Sequence, residues 1–254
     1  MTIKEYRKKR HFDVTPEPSG SEPKTAGSTV QSPPKAPAAS PAKGPAARKP
    51  QSSLRYVIQK HRASQLHYDF RLEWNGVLLS WAVPKGPSLD PSVKRLAMQV
   101  EDHPLDYADF EGVIPEGEYG GGTVMVWDTG TWTPDESDVD AALRKGELKF
   151  TLNGAKLKGS WVLVRTQGYG SRSQTSWLLI KHHDQYASTE DITATQPESV
   201  ATKRLLSDIA REGGGDVEKA ATGDPAAQPK SPSRPRRSAS SAPRRTKQPL
   251  KHRK

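Results

Sequence analysis

The chain has 254 residues, 39 Lys+Arg against 29 Asp+Glu, a formal net charge of +10 and no cysteine. The missing thiols exclude disulfides, thiolate zinc sites and cysteine nucleophiles. No apolar run approaches the ~20 residues of a membrane span and the N-terminus has no apolar segment to serve as a signal peptide, so a cytoplasmic protein with no membrane partner is expected.

Charge is spread unevenly: residues 51–212 are net −4, whereas residues 213–254 are net +8. The basic character therefore lies in the flanks, where it reads as a sequence-independent grip on a polyanion, most often nucleic acid. Residues 1–18 mix charge with Tyr6 and Phe12 and are expected to dock on the domain. Residues 19–50 hold seven prolines among Ala, Ser and Lys. So little apolar surface cannot offset chain entropy, and a disordered linker is predicted. Residues 51–212 are one domain of ordinary size, and all six tryptophans fall between Trp74 and Trp177.

The domain reads as short strands. Tyr56-Val57-Ile58 is the first. Segments 67–74 and 77–83 flank Asn75-Gly76, a type I′ hairpin signal. Leu96–Val100 follows, ending at Glu101-Asp102-His103. Gly122–Trp127 leads to Gly130-Thr131-Trp132, read as another hairpin. Segments 148–152, 159–164 and 177–180 complete the set. Helices are predicted at 138–145, capped by Ser137 or Asp138, and at 198–211. Residues 213–254, rich in Arg, Ser and Pro, read as a disordered tail. Seven or eight short strands with turn signals predict a mainly β barrel or sandwich; a closed barrel would remove the edge strands.

The segment His67-Tyr68-Asp69-Phe70-Arg71-Leu72-Glu73 carries the chemistry. As a strand it places His67, Asp69 and Arg71 on one face and Tyr68, Phe70 and Leu72 on the other. A polar strand face is ordinarily just the solvated side of an antiparallel sheet, but this one holds a metal-capable imidazole, a carboxylate and a fixed guanidinium. With His61 upstream, two His and one carboxylate make a metal site with open positions, suited to Mn²⁺, Fe²⁺, Zn²⁺ or Co²⁺. The same trio serves non-haem iron oxygenases; Arg71 favours a phosphate ester over O₂. His103 and Tyr107, four residues apart after a strand end, can contact a phosphate or protonate a leaving oxygen, although Pro104 makes a plain turn an equal reading. The run Pro115–Gly122 reads as a glycine turn rather than a phosphate cradle. Pro84-Lys85-Gly86-Pro87 is a rigid loop with a basic tip.

These motifs together resemble the 3′-phosphoesterase module of bacterial DNA ligase D, here as a stand-alone protein. The matching text is Val57-Ile58-Gln59-Lys60-His61, His67–Glu73, Ser80-Trp81-Ala82-Val83-Pro84-Lys85-Gly86-Pro87, Glu101–Gly112, Ile114–Gly120 and Trp177–Lys181, over about residues 51–190, plus Lys9-Arg10 through Pro18. The resemblance implies a small closed β-barrel of about eight strands flanked by short helices. It also implies a Mn²⁺-dependent enzyme that heals DNA 3′ ends, hydrolysing a 3′-phosphate to 3′-OH and removing a 3′-terminal ribonucleotide. Carried over by position, His61, His67 and Asp69 match the metal ligands, Arg71 and His103 the phosphate-binding pair and Tyr107 a further active-site residue. Glu101, Lys85 and Arg95 match secondary polar positions of the pocket.

In this reading a partly protonated His103 stabilises the developing charge, and activity falls at alkaline pH. The family's N-terminal segment reads Arg-Asp-Phe, with a Glu six residues after the Asp. This chain has Arg10-His11-Phe12 and keeps Glu17, which weakens the expectation for the ribonuclease step more than for the phosphatase step. The implied substrate is a DNA or primer-template 3′ end with a 3′-phosphate or a 3′-ribonucleotide, and the implied protein partners are a DNA ligase or a Ku-type end-binding protein. A monomer is expected. The competing readings are a non-catalytic barrel that holds DNA ends for a ligase, and a 2-His-1-carboxylate oxygenase.

Overall fold

The computed structural model describes residues 2–20, 53–166 and 175–225. Nine antiparallel strands follow in chain order: β1 Leu54–Arg62, β2 Leu66–Trp74, β3 Val77–Val83, β4 Arg95–His103, β5 Gly112–Ile114, β6 Gly122–Pro134, β7 Glu147–Gly154, β8 Lys158–Arg165 and β9 Ser176–Lys181. Eight of them close a barrel in the order β1-β2-β3-β4-β9-β8-β7-β6, sealed by pairing of β6 back onto β1, and the short β5 lies alongside β6. The expected mainly β barrel of about eight strands is what forms. Asn75 and Gly76 take φ of 50° and 79°, the double positive φ that a type I′ turn requires.

The period of two along each strand sorts side chains between the inside and outside of the barrel. On β2, Tyr68, Phe70 and Leu72 point inward, where Phe70 stacks on Phe150 with centroids 5.7 Å apart and meets Trp81 at 6.3 Å. Burying each such ring is worth roughly 1.5–3 kcal/mol. A second apolar layer lies outside the barrel. Val57, Leu78, Val124 and Val126, from the outer faces of β1, β3 and β6, pack with Tyr6, Tyr107, Phe110 and Ile114. Tyr6 belongs to α1 (Ile3–Lys8) and Tyr107 to a 3₁₀ turn (Leu105–Asp109). Tyr6 is fully buried and its hydroxyl donates to the Pro18 carbonyl at 2.6 Å, so residues 2–20 lie folded against the barrel wall. The remaining helices are α2 (Val139–Lys145), α3 (Ile192–Thr195), α4 (Leu206–Glu212) and α5 (Val217–Ala221). The last three add Ile192, Leu206, Ile209, Ala210 and Ala220 to the interior cluster. Among the described residues no helix is long and apolar enough to cross a membrane.

Three expectations are corrected. First, β6 is one strand of 13 residues and not a hairpin. Asp128 is an anchor: its carboxylate accepts from the Tyr56 hydroxyl at 2.6 Å and from the Lys156 and Leu157 N–H groups at 2.9 Å. The register of β1 against β6 slips between Ile58 and Gln59, beside Asp128, as at a bulge. Gly130 is there for close approach, since a Cβ would lie 2.3 Å from the Asn153 carbonyl oxygen. Second, the helix expected over 198–211 starts only at Leu206. Ser199 Oγ takes the N–H groups of Ala201 and Thr202, each at 3.1 Å, a local bond that competes with helix. Third, residues 213–225 are structured and not part of a free tail. Asp224 accepts the Leu206 and Ser207 N–H groups at 3.0 Å, capping α4, and Ala220 is buried. The predicted linker from residue 21 and the tail from residue 226 lie outside the described residues.

Candidate active site

The site sits on the outer face of β1 to β4. Antiparallel pairing sets His61 directly opposite His67 and Gln59 opposite Asp69, so one hairpin presents both imidazoles and the carboxylate. Their ligand atoms all lie within 4.8 Å of one another. His67 Nδ1 is 3.1 Å from the Gln65 carbonyl. A proton donated there leaves the Nε2 lone pair facing Asp69 Oδ1 at 3.6 Å, the arrangement by which a backbone carbonyl orients a ligating histidine. His61 Nε2 is buried with no hydrogen-bond partner. An orphaned buried nitrogen is costly, but it is Nδ1 that His61 turns toward Asp69, 3.7 Å from Oδ2, so Nδ1 is the nitrogen offered to a cation among these three groups. This group can hold a metal ion, and its mixed N/O donors fit a divalent transition metal. Burial disfavours the Asp69 carboxylate, but Arg71 and His67 outweigh it and hold its pKa well below the ordinary range.

Arg71 is almost wholly buried. Its Nε donates to Gln59 Oε1 at 2.8 Å, Nη1 to Ser80 Oγ at 2.8 Å and Nη2 to Asp69 Oδ2 at 3.1 Å. The guanidinium is thereby locked in plane. His103 Nδ1 lies 2.9 Å from Arg71 Nη1 and 2.8 Å from the Glu101 carbonyl, and Nε2 lies 3.3 Å from Arg10 Nη2. No tautomer satisfies all three: with Nδ1–H donating to Glu101, Nε2 accepts from Arg10 and the approach of Arg71 Nη1 to Nδ1 is donor to donor and no hydrogen bond. One hydrogen then remains uncommitted on each of Arg71 Nη1 and Nη2, a fork suited to two oxygens of one phosphate. The expectation of a partly protonated His103 is corrected. Burial, then Arg71 and Arg10, drive its pKa well below the usual histidine value, so the ring is neutral and gives no reason for an alkaline loss of activity.

The N-terminal segment roofs this face. Arg10 donates to Glu17 Oε1 at 2.8 Å and to Glu101 Oε1 at 3.2 Å. The Tyr107 hydroxyl also donates to Glu17 Oε1, at 3.0 Å. Burial and the Glu17 charge raise the Tyr107 pKa well above the ordinary phenol value, so it stays protonated. Arg71 lies 4.9 Å from the centroid of the Tyr107 ring. Glu101 also receives Lys9 Nζ at 3.0 Å. Arg10, His61, His67, Asp69, Arg71, Glu101, His103 and Tyr107 thus line one cavity of about 240 Å³.

Two of the expected pocket residues are elsewhere. Lys85 is exposed and Arg95 is half-buried at the start of β4; neither is on the cavity wall. His11 points outward, its side chain 75% exposed, with Nδ1 3.1 Å from Glu118 Oε2. The run 115–122 forms successive turns, Glu118 N–H to Pro115 O at 3.2 Å and Gly121 N–H to Glu118 O at 3.0 Å, consistent with the turn reading. Gln59 and Ser80, which lock Arg71, were not singled out from sequence. Their signal was the strand period, since Gln59 stands two residues before His61 on the same face.

Residues 59–165 match the family model for the DNA Ligase D 3′-phosphoesterase domain. Over 207 residues, 80% of this chain, the sequence is 50% identical to the multifunctional non-homologous end joining protein LigD of Pseudomonas aeruginosa. It is also 50% identical over 113 residues, 44% of the chain, to the corresponding DNA repair protein of Mycobacterium tuberculosis, and 41% identical over 136 residues, 52% of the chain, to that of Mycolicibacterium smegmatis. The matches span only 22%, 15% and 17% of those relatives' lengths. The resemblance read from the motifs holds over residues 59–165, which match the DNA ligase D 3′-phosphoesterase domain family.

Proposed function

We propose that this DNA ligase D-type barrel is a metal-dependent 3′-end-healing phosphoesterase that hydrolyses a DNA 3′-phosphate to a 3′-OH and inorganic phosphate. One observation carries the reading. The His61, His67 and Asp69 group, whose ligand atoms lie within 4.8 Å of one another, shares a cavity with the fork of Arg71. A divalent metal on those three residues, Mn²⁺ by the family resemblance, would supply Lewis-acid polarisation of a phosphate oxygen.

The chain's own residues do the rest. Arg71 binds two phosphate oxygens and holds charge as it builds in the transition state. Arg10, locked between Glu17 and Glu101, sets a second positive charge across the His103 ring from Arg71. Neutral His103 accepts from Arg10, while Gln59 and Ser80 keep Arg71 in place. Tyr107 stays a neutral phenol against the Arg71 plane. Water attacks phosphorus, the P–O3′ bond breaks and the sugar leaves with a free hydroxyl. Lys85 and Arg95, off the wall, are assigned no contact with the phosphate.

Removal of a 3′-terminal ribonucleotide is proposed as the second activity, since Arg10 and Glu17 are in place. His11, turned toward Glu118, contributes nothing inside the cavity, so this step is the weaker one. The chemistry and the relatives' names support a role in non-homologous end joining, acting on primer-template ends in a bacterial cytoplasm beside a DNA ligase or a Ku-type end-binding protein.

The test uses a 5′-labelled primer-template ending in a 3′-phosphate or a single 3′-ribonucleotide, with Mn²⁺, Mg²⁺, Zn²⁺ or EDTA. Conversion to 3′-OH that needs metal and is lost in His61→Ala, His67→Ala and Asp69→Ala is expected. No conversion with any metal would instead favour a barrel that only binds DNA ends.

A further inference from the structure

The phosphate chemistry does not use every residue of the cavity. Ala63, Ile114 and Tyr119 also line it. Tyr119 is 48% exposed. Among the described residues it is one of four exposed large apolar side chains, with Val14, Leu96 and Tyr186, and the one of the four that lines this cavity. An aromatic ring half in water costs hydrophobic free energy.

The ring is also held in place. Lys9 Nζ donates to its hydroxyl at 3.1 Å while bonded to Glu101 at 3.0 Å. Lys9 Nζ and the Arg10 guanidinium carbon lie 4.4 and 5.5 Å from the ring centroid. The adjacent Gly120 sits against His61, where a Cβ would lie 3.6 Å from the imidazole Cε1. The turn that carries Tyr119 is thus seated on one of the proposed metal ligands.

A fixed, half-exposed aromatic ring beside two cations, at the mouth of a phosphate cavity, has the form of a stacking platform for single nucleotides. We infer that Tyr119 is the binding site for the terminal nucleoside, whose base stacks on the ring while its 3′-phosphate meets Arg71. The inference rests on the phosphoesterase reading of the cavity. It explains how an ionic pocket with no base-reading groups on its wall would favour a polynucleotide end over free phosphate, without sequence preference.

The experiment compares wild type, Tyr119→Ala and Tyr119→Phe on a primer-template ending in a 3′-phosphate. Two further substrates carry 2-aminopurine, or no base, at the terminal nucleotide. Tyr119→Ala should raise KM about tenfold, equivalent to ~1.4 kcal/mol, with kcat within about twofold. Tyr119→Phe should keep most of the wild-type affinity. On the abasic end the difference between wild type and Tyr119→Ala should vanish, as a mutant cycle on a direct contact demands. Binding in EDTA should change 2-aminopurine fluorescence for wild type and not for Tyr119→Ala. That arm needs no turnover, so it still reads the platform if the chemistry proposed above fails. An unchanged KM in Tyr119→Ala, equal losses in Phe and Ala, or a KM effect that persists on the abasic end would overturn the platform. Equal losses would assign Tyr119 the role of anchoring Lys9 through its hydroxyl.

Discussion

Asp102 and His103 are chain neighbours that burial drives in opposite directions. Burial, with the charges of Glu5 and Glu101, raises the Asp102 carboxyl from 3.8 to about 6. A raised folded pKa means that the native state binds the proton more tightly than the unfolded chain does. The native state is therefore favoured below the unfolded pKa, and that advantage is lost as pH rises through about 6. At ~1.36 kcal/mol per unit the shift corresponds to roughly 3 kcal/mol; partial exposure and solvent screening reduce this to about 1–2 kcal/mol. Asp102→Asn should therefore stabilise the fold by about that much at pH 7.5 and by almost nothing at pH 3.5. Urea denaturation at the two pH values checks it, and an equal gain at both would break the linkage argument. Arg71 lends itself to a different prediction. Lysine can replace its charge but not the fork, because a single ammonium cannot span Gln59, Ser80 and Asp69 and still offer two hydrogens to one phosphate. Arg71→Lys should lower kcat/KM for 3′-phosphate removal about 10²-fold, read in a single-turnover assay alongside Tm. Activity near wild type would remove Arg71 from the phosphate.

Glu17 ties the N-terminal segment together from within, accepting from Arg10 and Thr15, and adds one bond to the barrel side, through Tyr107. Glu17→Ala would leave a buried guanidinium short of its partner, a loss of roughly 3–5 kcal/mol, more than a six-residue helix can absorb. The expected result is undocking: hydrogen exchange in residues 2–20 rises while the strands keep their protection, and phosphatase activity falls with the departure of Arg10. Protection unchanged in the segment would show that Tyr6 and Phe12 suffice to hold it. The same segment marks where sequence reasoning stops. The period of two along 67–73 suffices to place His67, Asp69 and Arg71 on one face, because alternation is a local property. That this face is roofed, with Arg71 and His103 buried and His103 neutral, depends on pairings such as Arg10–Glu101, 91 residues apart. No local pattern encodes them. Lys85 and Arg95 show the converse, since the family pattern placed them near the pocket and the strand ends carry them away from its wall. Asp128 and Gly130 misled for a related reason: Asp and Gly mark turns by local propensity, yet here they serve a bulge and a close approach set by β1 and β7.

At the scale of the whole molecule, charge and chemistry are separated along the chain. Residues 226–254 hold ten Lys+Arg and no Asp or Glu, equal to the formal net charge of the entire protein, while the barrel that carries the site is slightly acidic. Such a barrel gains no long-range attraction for a polyanion from its own net charge, whereas a basic run recruits phosphates by releasing condensed counterions. The boundary of that run matters for any truncation. A cut at 213 would remove Asp224 from the start of α4 and Ala220 from the core, so a fall in activity would report damage to the fold. A cut after residue 225 keeps both. Deleting residues 226–254 should leave kcat for 3′-phosphate removal within about twofold and weaken DNA binding at low salt. It should also flatten the plot of log K against log salt by about 0.7–0.9 for each phosphate that the tail no longer neutralises. Fluorescence anisotropy across a salt series, with the same DNA in the turnover assay, separates the two roles. A slope that does not change would move DNA capture from the tail onto the barrel.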